Sequence, residues 1–213
     1  MPAARIHLIR HGEVYNPEGI LYGRLPHFRL SDFGHQMAEA AAKDLKSQKR
    51  NVTKIISSPL LRARESAEHV QLTFGGNIEV DERVIEPHNI FEGYRMTPRT
   101  VAIRSKLFFH MRNPFKPSWG EPFAKIAHRV LAAMREAASE TVTGDVVIVT
   151  HQAVIVMAQR AVAGKRLYHD PRKRRCSLSS ITSFELRGQD LVEVDYREPA
   201  LSLSQQAIDK GAV

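Results

Sequence analysis

The sequence predicts an α/β fold, a three-layer domain with a mostly parallel central sheet and helices on both faces. Three observations carry that expectation. Short apolar strands alternate with longer amphipathic segments, the pattern of strand–helix–strand units. Two of the strands end directly on a histidine, His11 and His151. The 213 residues, 43% of them hydrophobic, suit one core of ordinary size.

Taken in order, residues 4–10 read as a buried strand, with Ile6, Leu8 and Ile9 apolar. A loop rich in Gly, Pro and Asn follows to Leu30. Ser31 is an expected N-cap for a helix over about 33–47, with Phe33, Met37, Ala40, Ala41 and Leu45 on one face. Residues 54–57 form a second strand, and Ser58-Pro59 marks the start of a helix running to about Leu72, since proline suits the first helical turn. Residues 78–80 read as a further strand. The stretch 84–121 is the least regular, with a helix expected near 100–111 and then NPFKPSWGEP, whose prolines argue for a loop or lid. A helix over about 122–140, an apolar strand over 145–150 and an apolar helix over 153–163 stopped by Gly164 follow. Two closing strands, about 179–186 and 191–196, flank the turn Arg187-Gly188-Gln189-Asp190 and are expected to pair antiparallel. The polar tail after Pro199 is expected to be loose.

Composition narrows the function classes. No apolar run approaches the roughly 20 residues of a membrane helix, and the apolar N-terminal segment is shorter than expected of a signal peptide. The single cysteine, Cys176, forms no internal disulfide, which fits a reducing compartment. The expectation is a soluble, cytoplasmic protein. The net charge of +8 leaves two readings open: phosphate contacts to a nucleic acid, or steering of small anions into a cleft. The densest basic run is Lys165 to Arg175. Aromatic and basic residues do not interleave in the manner of single-strand binders.

The motifs decide between these readings. The first strand ends in Arg10-His11-Gly12. An imidazole is a competent nucleophile toward phosphorus, a neighbouring guanidinium holds phosphoryl oxygens in pairs, and Gly12 lets the backbone approach a ligand. In SSPLLRARESA, Arg62 falls in the first helical turn, where free N–H groups and the helix dipole already favour anions; Arg64 is expected to face solvent. His151, at the end of VVIVTH, can donate to a phosphoryl oxygen. Glu86, in DERVIEPHNIFEG, can protonate a leaving oxygen, with Glu82 and Glu92 as competing carboxylates. Both histidines fall at the carboxyl ends of strands, where ligands of open α/β sheets bind. No carboxylate pair is placed for Mg²⁺ and no Cys/His spacing suits zinc.

RHG near residue 10, SSPLLRARESA near 60, DERVIE near 85 and a strand ending Thr-His near 150 together resemble the histidine phosphatase superfamily, the phosphoglycerate mutase-like group, over roughly residues 4–196. The resemblance implies a phosphoglycerate mutase-like sheet and one domain over 1–198, with a lid-like insertion around 87–121 and a tail over 199–213. It implies His11 as phosphate acceptor, Arg10, Arg62 and His151 as the phosphate pocket, and Glu86 as general acid and later base, with no metal and no cofactor. Substrate contacts are implied at Asn16 and at Gly23 through its backbone N–H. Gln152 stands where the family has glycine, and its amide either reaches the pocket or packs. His88 is near enough in sequence to Glu86 to enter the site; His7 and Cys176 read as structural.

The expected function is hydrolysis of a small phosphomonoester through a phosphohistidine. The alternative is a phosphoglycerate mutase, which shares the chemistry; residues 13–31 match the mutase loop poorly. A non-catalytic anion or nucleic-acid binder using the 165–175 cluster is the third reading. The expected partner is a small phosphorylated molecule, with no nucleic acid and no membrane. The oligomeric state is left open, a homodimer included.

Overall fold

A computed structural model of the chain describes residues 3–95 and 120–204. Six strands form one sheet: β1 (Ile6–Arg10), β2 (Val52–Ser57), β3 (Ile78–Val80), β4 (Asp145–Thr150), β5 (Ile181–Arg187) and β6 (Asp190–Arg197). Their order is β3-β2-β4-β1-β5-β6. The pairs β3–β2, β2–β4 and β4–β1 are parallel, and β1–β5 and β5–β6 are antiparallel. The expected mostly parallel sheet with an antiparallel closing hairpin is what the chain forms.

Layering follows from the strands themselves. All six residues of β4 are buried, as a strand covered on both faces requires. Its side chains alternate between two cores. Val146 and Ile148 pack with α3 (Phe123–Glu140) and α4 (Gln152–Val162). Val147 and Val149 pack with α1 (Asp32–Ser47) and α2 (Leu61–Phe74). A helix pair on each face gives three layers.

Local signals explain most element ends. The Ser31 hydroxyl accepts from the Gly34 N–H and caps α1. Gly188, at φ 64°, makes the turn between β5 and β6. Some expectations shift. Phe33 is 37% exposed; the buried stripe of α1 is Gly34, Met37, Ala38, Ala41, Ala42 and Leu45, one position round the helix. Pro59 lies outside α2, whose N-cap is Leu60. Arg62 nevertheless falls in the first turn, as expected. Beyond Pro199, Ala200 is buried against Met37 and Leu178, and a short helix, α5 (Leu201–Ser204), follows. The helix expected near 100–111 and the aromatic-rich stretch before Gly120 lie outside the described residues. Among the described residues no helix is long and apolar enough to cross a membrane.

Two features aim the sheet at one rim. In the parallel register, Arg10 stands opposite Thr150, so the next residues, His11 and His151, emerge side by side. The His11 N–H donates to the Thr150 carbonyl at 3.0 Å. Gly12 then passes under the start of α1: a Cβ there would lie 2.2 Å from the Gly34 carbonyl oxygen, and one on Gly34 would lie 2.0 Å from that of Glu13. Neither position admits a side chain.

Candidate active site

Beyond the carboxyl ends of β1 and β4, five side chains named from sequence come together: Arg10, His11, Arg62, Glu86 and His151. Each is buried, at 5% exposure or less. That is costly for charged groups unless they are paired or serve a ligand.

His11 and His151 approach edge to face, with ring centroids 5.2 Å apart. Nδ1 of His11 lies 2.7 Å from the Gly12 carbonyl oxygen and donates to it. That leaves Nε2 as the unprotonated nitrogen, its lone pair facing the pocket. Arg62 spans the two rings. Its Nε donates to His11 Nε2 at 3.2 Å, and its Nη2 donates to His151 Nδ1 at 3.2 Å and to the Gly23 carbonyl at 2.8 Å. Because arginine cannot accept, Nδ1 of His151 is the acceptor and its Nε2 carries the proton, donated to Ser58 Oγ at 2.7 Å. Tyr22 lies under the guanidinium, 4.7 Å from Cζ to ring centre. Arg10 is held by its Nη1 on the Cys176 carbonyl at 2.8 Å.

Electrostatics follow from burial among cations. Burial first, then the charges of Arg62 and Arg10, hold the His11 imidazole well below its ordinary value. Burial and Arg62 do the same to His151. Burial pushes the Glu86 carboxyl up, against the pull of Arg62, Arg174 and Arg10. Glu86 Oε2 has no hydrogen-bond partner among the described residues and lies 3.6 Å from His151 Nδ1. That distance is too long for a hydrogen bond. With imidazole pushed down and carboxyl pushed up, this contact is not a charged pair. Near neutral pH the pocket therefore offers two neutral imidazoles, two fixed guanidinium cations and a carboxyl biased toward its protonated form. It suits a dianion with an oxygen to be protonated.

Other polar residues of the motif SSPLLRARESA can be placed around Arg62. Ser58 orients His151. Ser66 Oγ accepts from the Gly12 N–H at 3.2 Å and donates to the Arg62 carbonyl at 2.8 Å. Glu65 takes the Leu30 N–H at 2.6 Å, and Arg64 is exposed.

A family model for the histidine phosphatase superfamily, branch 1, matches residues 6–198. The chain belongs to the histidine phosphatase superfamily. The chain is similar to an uncharacterized protein of Mycobacterium tuberculosis strain H37Rv, 44% identical over 197 residues that make up 92% of this chain and 96% of that protein. A glucosyl-3-phosphoglycerate phosphatase of Mycolicibacterium vanbaalenii is 29% identical over 175 residues, covering 77% and 76%. The native structure of a mycobacterial glucosyl-3-phosphoglycerate phosphatase superposes with a TM-score of 0.71 at 25% identity, over 91% of this chain and 96% of that one.

For this superfamily member the three expected substrate contacts sit differently from the five pocket residues. Asn16 closes its own turn: Nδ2 donates to the Ile20 carbonyl at 2.8 Å and Oδ1 accepts the Ile20 N–H at 3.2 Å. Gly23, at φ 37°, presents its carbonyl to Arg62, where a backbone N–H was expected to face the substrate. The Gln152 amide donates to the Cys176 carbonyl at 3.3 Å and accepts from Arg174 Nη1 at 3.1 Å, so it braces the segment behind Arg10. His88 lies outside the pocket, its side chain 61% exposed. Glu82 is exposed, and Glu92 takes the Asn89 N–H at 2.9 Å. His7 is buried between Ser183 Oγ at 2.8 Å and Asp145 Oδ2 at 3.4 Å, and Cys176 is buried with its thiol pushed up to about 11.

Sequence reasoning missed Tyr22 and Arg174. Arg174 belongs to the basic run 165–175, but unlike its exposed neighbours Lys173 and Arg175 it turns inward. Its Nε donates to His169 Nε2 at 3.0 Å, and its charge pulls on Glu86. A charge run reads as solvated from sequence; the inward turn of one member depends on Gln152, some twenty positions away. Among the described residues, no three His, Cys, Asp or Glu side chains converge to hold a metal ion.

Proposed function

We propose that this protein is a metal-independent phosphatase that hydrolyses a small phosphomonoester through a phosphohistidine on His11. One observation carries the reading: Arg62 donates to the free nitrogens of both buried imidazoles, at 3.2 Å each, so a single guanidinium marks where a phosphoryl group would sit between them. The relatives whose names specify a phosphatase support hydrolysis over a binding role.

In this reading Nε2 of His11 attacks phosphorus. The P–O ester bond breaks, and the leaving oxygen takes a proton from Glu86. Arg10 and Arg62 hold the equatorial oxygens; His151, its basicity restored by the incoming negative charge, takes the proton of a monoanionic phosphate ester on Nδ1 and donates it back to one of those oxygens as a hydrogen bond. In the second half Glu86, now a carboxylate, removes a proton from water. The water oxygen bonds to phosphorus, the P–N bond breaks, and His11 regains its lone pair as phosphate leaves. Fixed positive groups supply the charge stabilisation that a metal gives elsewhere.

The test is a trapping experiment. Protein quenched during turnover of a labelled aryl phosphate, with excess chelator present, is expected to carry one acid-labile, base-stable phosphoryl group that His11→Ala lacks. Equal hydrolysis by wild type and His11→Ala would sink the reading. Assay of 3-phosphoglycerate with a bisphosphate primer separates hydrolysis from mutase action: a mutase yields 2-phosphoglycerate, a phosphatase free phosphate.

A further inference from the structure

We infer that His35 and His69 form a surface site for a late first-row divalent cation, of the zinc or copper class, that clips α1 to α2. The inference stands apart from the phosphatase reading, because no residue of the proposed pocket takes part.

The two helices pack together on one face of the sheet, through residues such as Ala41, Leu45, Ala63 and Ala67. His35 ends the first turn of α1, and His69 lies in the third turn of α2. Their half-buried rings meet across the seam between the helices. The ring centroids are 5.4 Å apart and the planes are inclined by 60°. Nδ1 of His35 stands 3.1 Å from Nε2 of His69. Two nitrogens bound to one ion, at angles between square-planar and tetrahedral, stand roughly 2.8–3.4 Å apart. The pair therefore already has the spacing of two ligands on one metal. As a hydrogen bond, the facing nitrogens share one proton. An ion takes that proton's place, and the displaced proton moves to the outer nitrogen of the same ring.

The surroundings supply negative charge. Glu39, one turn beyond His35, and Glu68, next to His69, both act on the His69 ring. Glu39 is tied to Lys43 at 2.7 Å, with both side chains about half exposed or more. Such a pair contributes little and can release its carboxylate toward a cation. Glu65, one turn before His69, is engaged by the Leu30 N–H at 2.6 Å. Burial first, then His35, holds His69 below the ordinary imidazole value. Its neutral form, the one that binds metal, therefore prevails at neutral pH. Imidazole suits zinc and copper better than the hard cations. Water fills the remaining coordination positions. A clip here stiffens the frame behind the pocket, since α1 brings Gly34 against the loop after β1 and α2 carries Arg62 and Ser66.

The test is calorimetric titration of the full chain with Zn²⁺ at neutral pH, without phosphate or chelator. Wild type is compared with His35→Gln, His69→Gln and the double variant. Glutamine keeps a polar side chain at the seam, and circular dichroism verifies folding. Each single variant is expected to lose at least about tenfold in the affinity of the tightest site. The double variant should fall no more than about twofold further, because both ligands act through one ion. Electron paramagnetic resonance with one equivalent of Cu²⁺ gives a readout on wild type itself: superhyperfine splitting from two imidazole nitrogens, reduced in either single variant. Zinc affinity unchanged in both single variants, no binding up to about 1 mM, or the same copper nitrogen count in wild type and the double variant would overturn the inference. The pair would then be a hydrogen bond between helices only.

Discussion

Arg62 donates its Nε–H to His11 Nε2 across 3.2 Å. The nitrogen that would attack phosphorus is thus held by the cation that would grip the phosphate. The same donor lowers the basicity of the ring, since the charge of Arg62 is, after burial, the largest cause of the depressed His11 titration. A guanidinium that turns to the oxygens of an incoming phosphoryl group releases the lone pair as the substrate arrives.

Charge and shape at Arg62 are separable. Arg62→Lys keeps the cation and loses the planar fork; Arg62→Leu loses both. We expect kcat/KM to fall by roughly 10²-fold or more in Lys and further in Leu. Histidine NMR is expected to show the His11 titration moving upward in Arg62→Leu and staying nearer wild type in Arg62→Lys, because the charge depresses it. A His11 titration that is the same in all three proteins would refute this electrostatic account.

Gly12 is a packing requirement as well as a motif residue. Its missing side chain leaves the Gly34 backbone oxygen room that a methyl group would occupy at 2.2 Å. Backbone on both sides cannot yield cheaply, so Gly12→Ala is expected to lower stability by about 1–3 kcal/mol. It should also displace His11, whose Nδ1 is tied to the Gly12 carbonyl. Thermal melting reads the first effect and kcat the second; a protein with wild-type melting and activity would show that the contact relaxes freely.

Strand ends, motif order and helix caps are local and were legible from residue types. The apolar runs of β1 and β4 each stop at a histidine, and Arg62 falls in the first turn of its helix even though Pro59 lies outside it. What was not legible depends on chain segments distant in sequence. Asn16 has the chemistry of a substrate ligand, but its amide closes the 16–20 turn. Phe33 fits an apolar stripe on paper, yet Gly34 must face the loop after β1, and that rotates the buried face of α1 by one position. Arg174 is indistinguishable from its neighbours in a basic run until Gln152 and His169 draw it inward.

A second buried polar group lies at the opposite end of the sheet. Asp145 accepts from both Nε and Nη2 of Arg50, at 2.7 Å each, and from His7. Burial alone would raise the Asp145 carboxyl, but the bonds from His7 and Arg50 outweigh it and hold the group below its ordinary value. A carboxyl depressed in the folded state contributes stability above its unfolded pKa and loses it as pH falls through the folded one. Asp145→Asn is therefore expected to cost about 3 kcal/mol near neutral pH, and the gap to wild type should close below about pH 4. Urea melts at neutral and acid pH would measure it; a gap that is constant with pH would rule the ion pair out as its source.

In the proposed mechanism Glu86 would set the alkaline limit of activity, and Arg174 would tune it. The proposed first step needs Glu86 protonated, so kcat/KM falls as pH rises through its elevated titration. His11 must be neutral, and its depressed titration keeps activity on the acid side well below the ordinary imidazole range. Glu86→Gln removes the donor. Its loss should be roughly 10²–10⁴-fold with alkyl phosphates and much smaller with 4-nitrophenyl phosphate, whose leaving group needs little protonation. The alkaline limb should flatten as well. Arg174 stabilises the carboxylate form, so Arg174→Gln removes that pull and raises the Glu86 titration further. The alkaline limb is then expected to move to higher pH while the acid limb stays nearly in place. Movement toward lower pH, or an unmoved limb in a folded Arg174→Gln protein, would separate Arg174 from the acid and assign it to the rim alone.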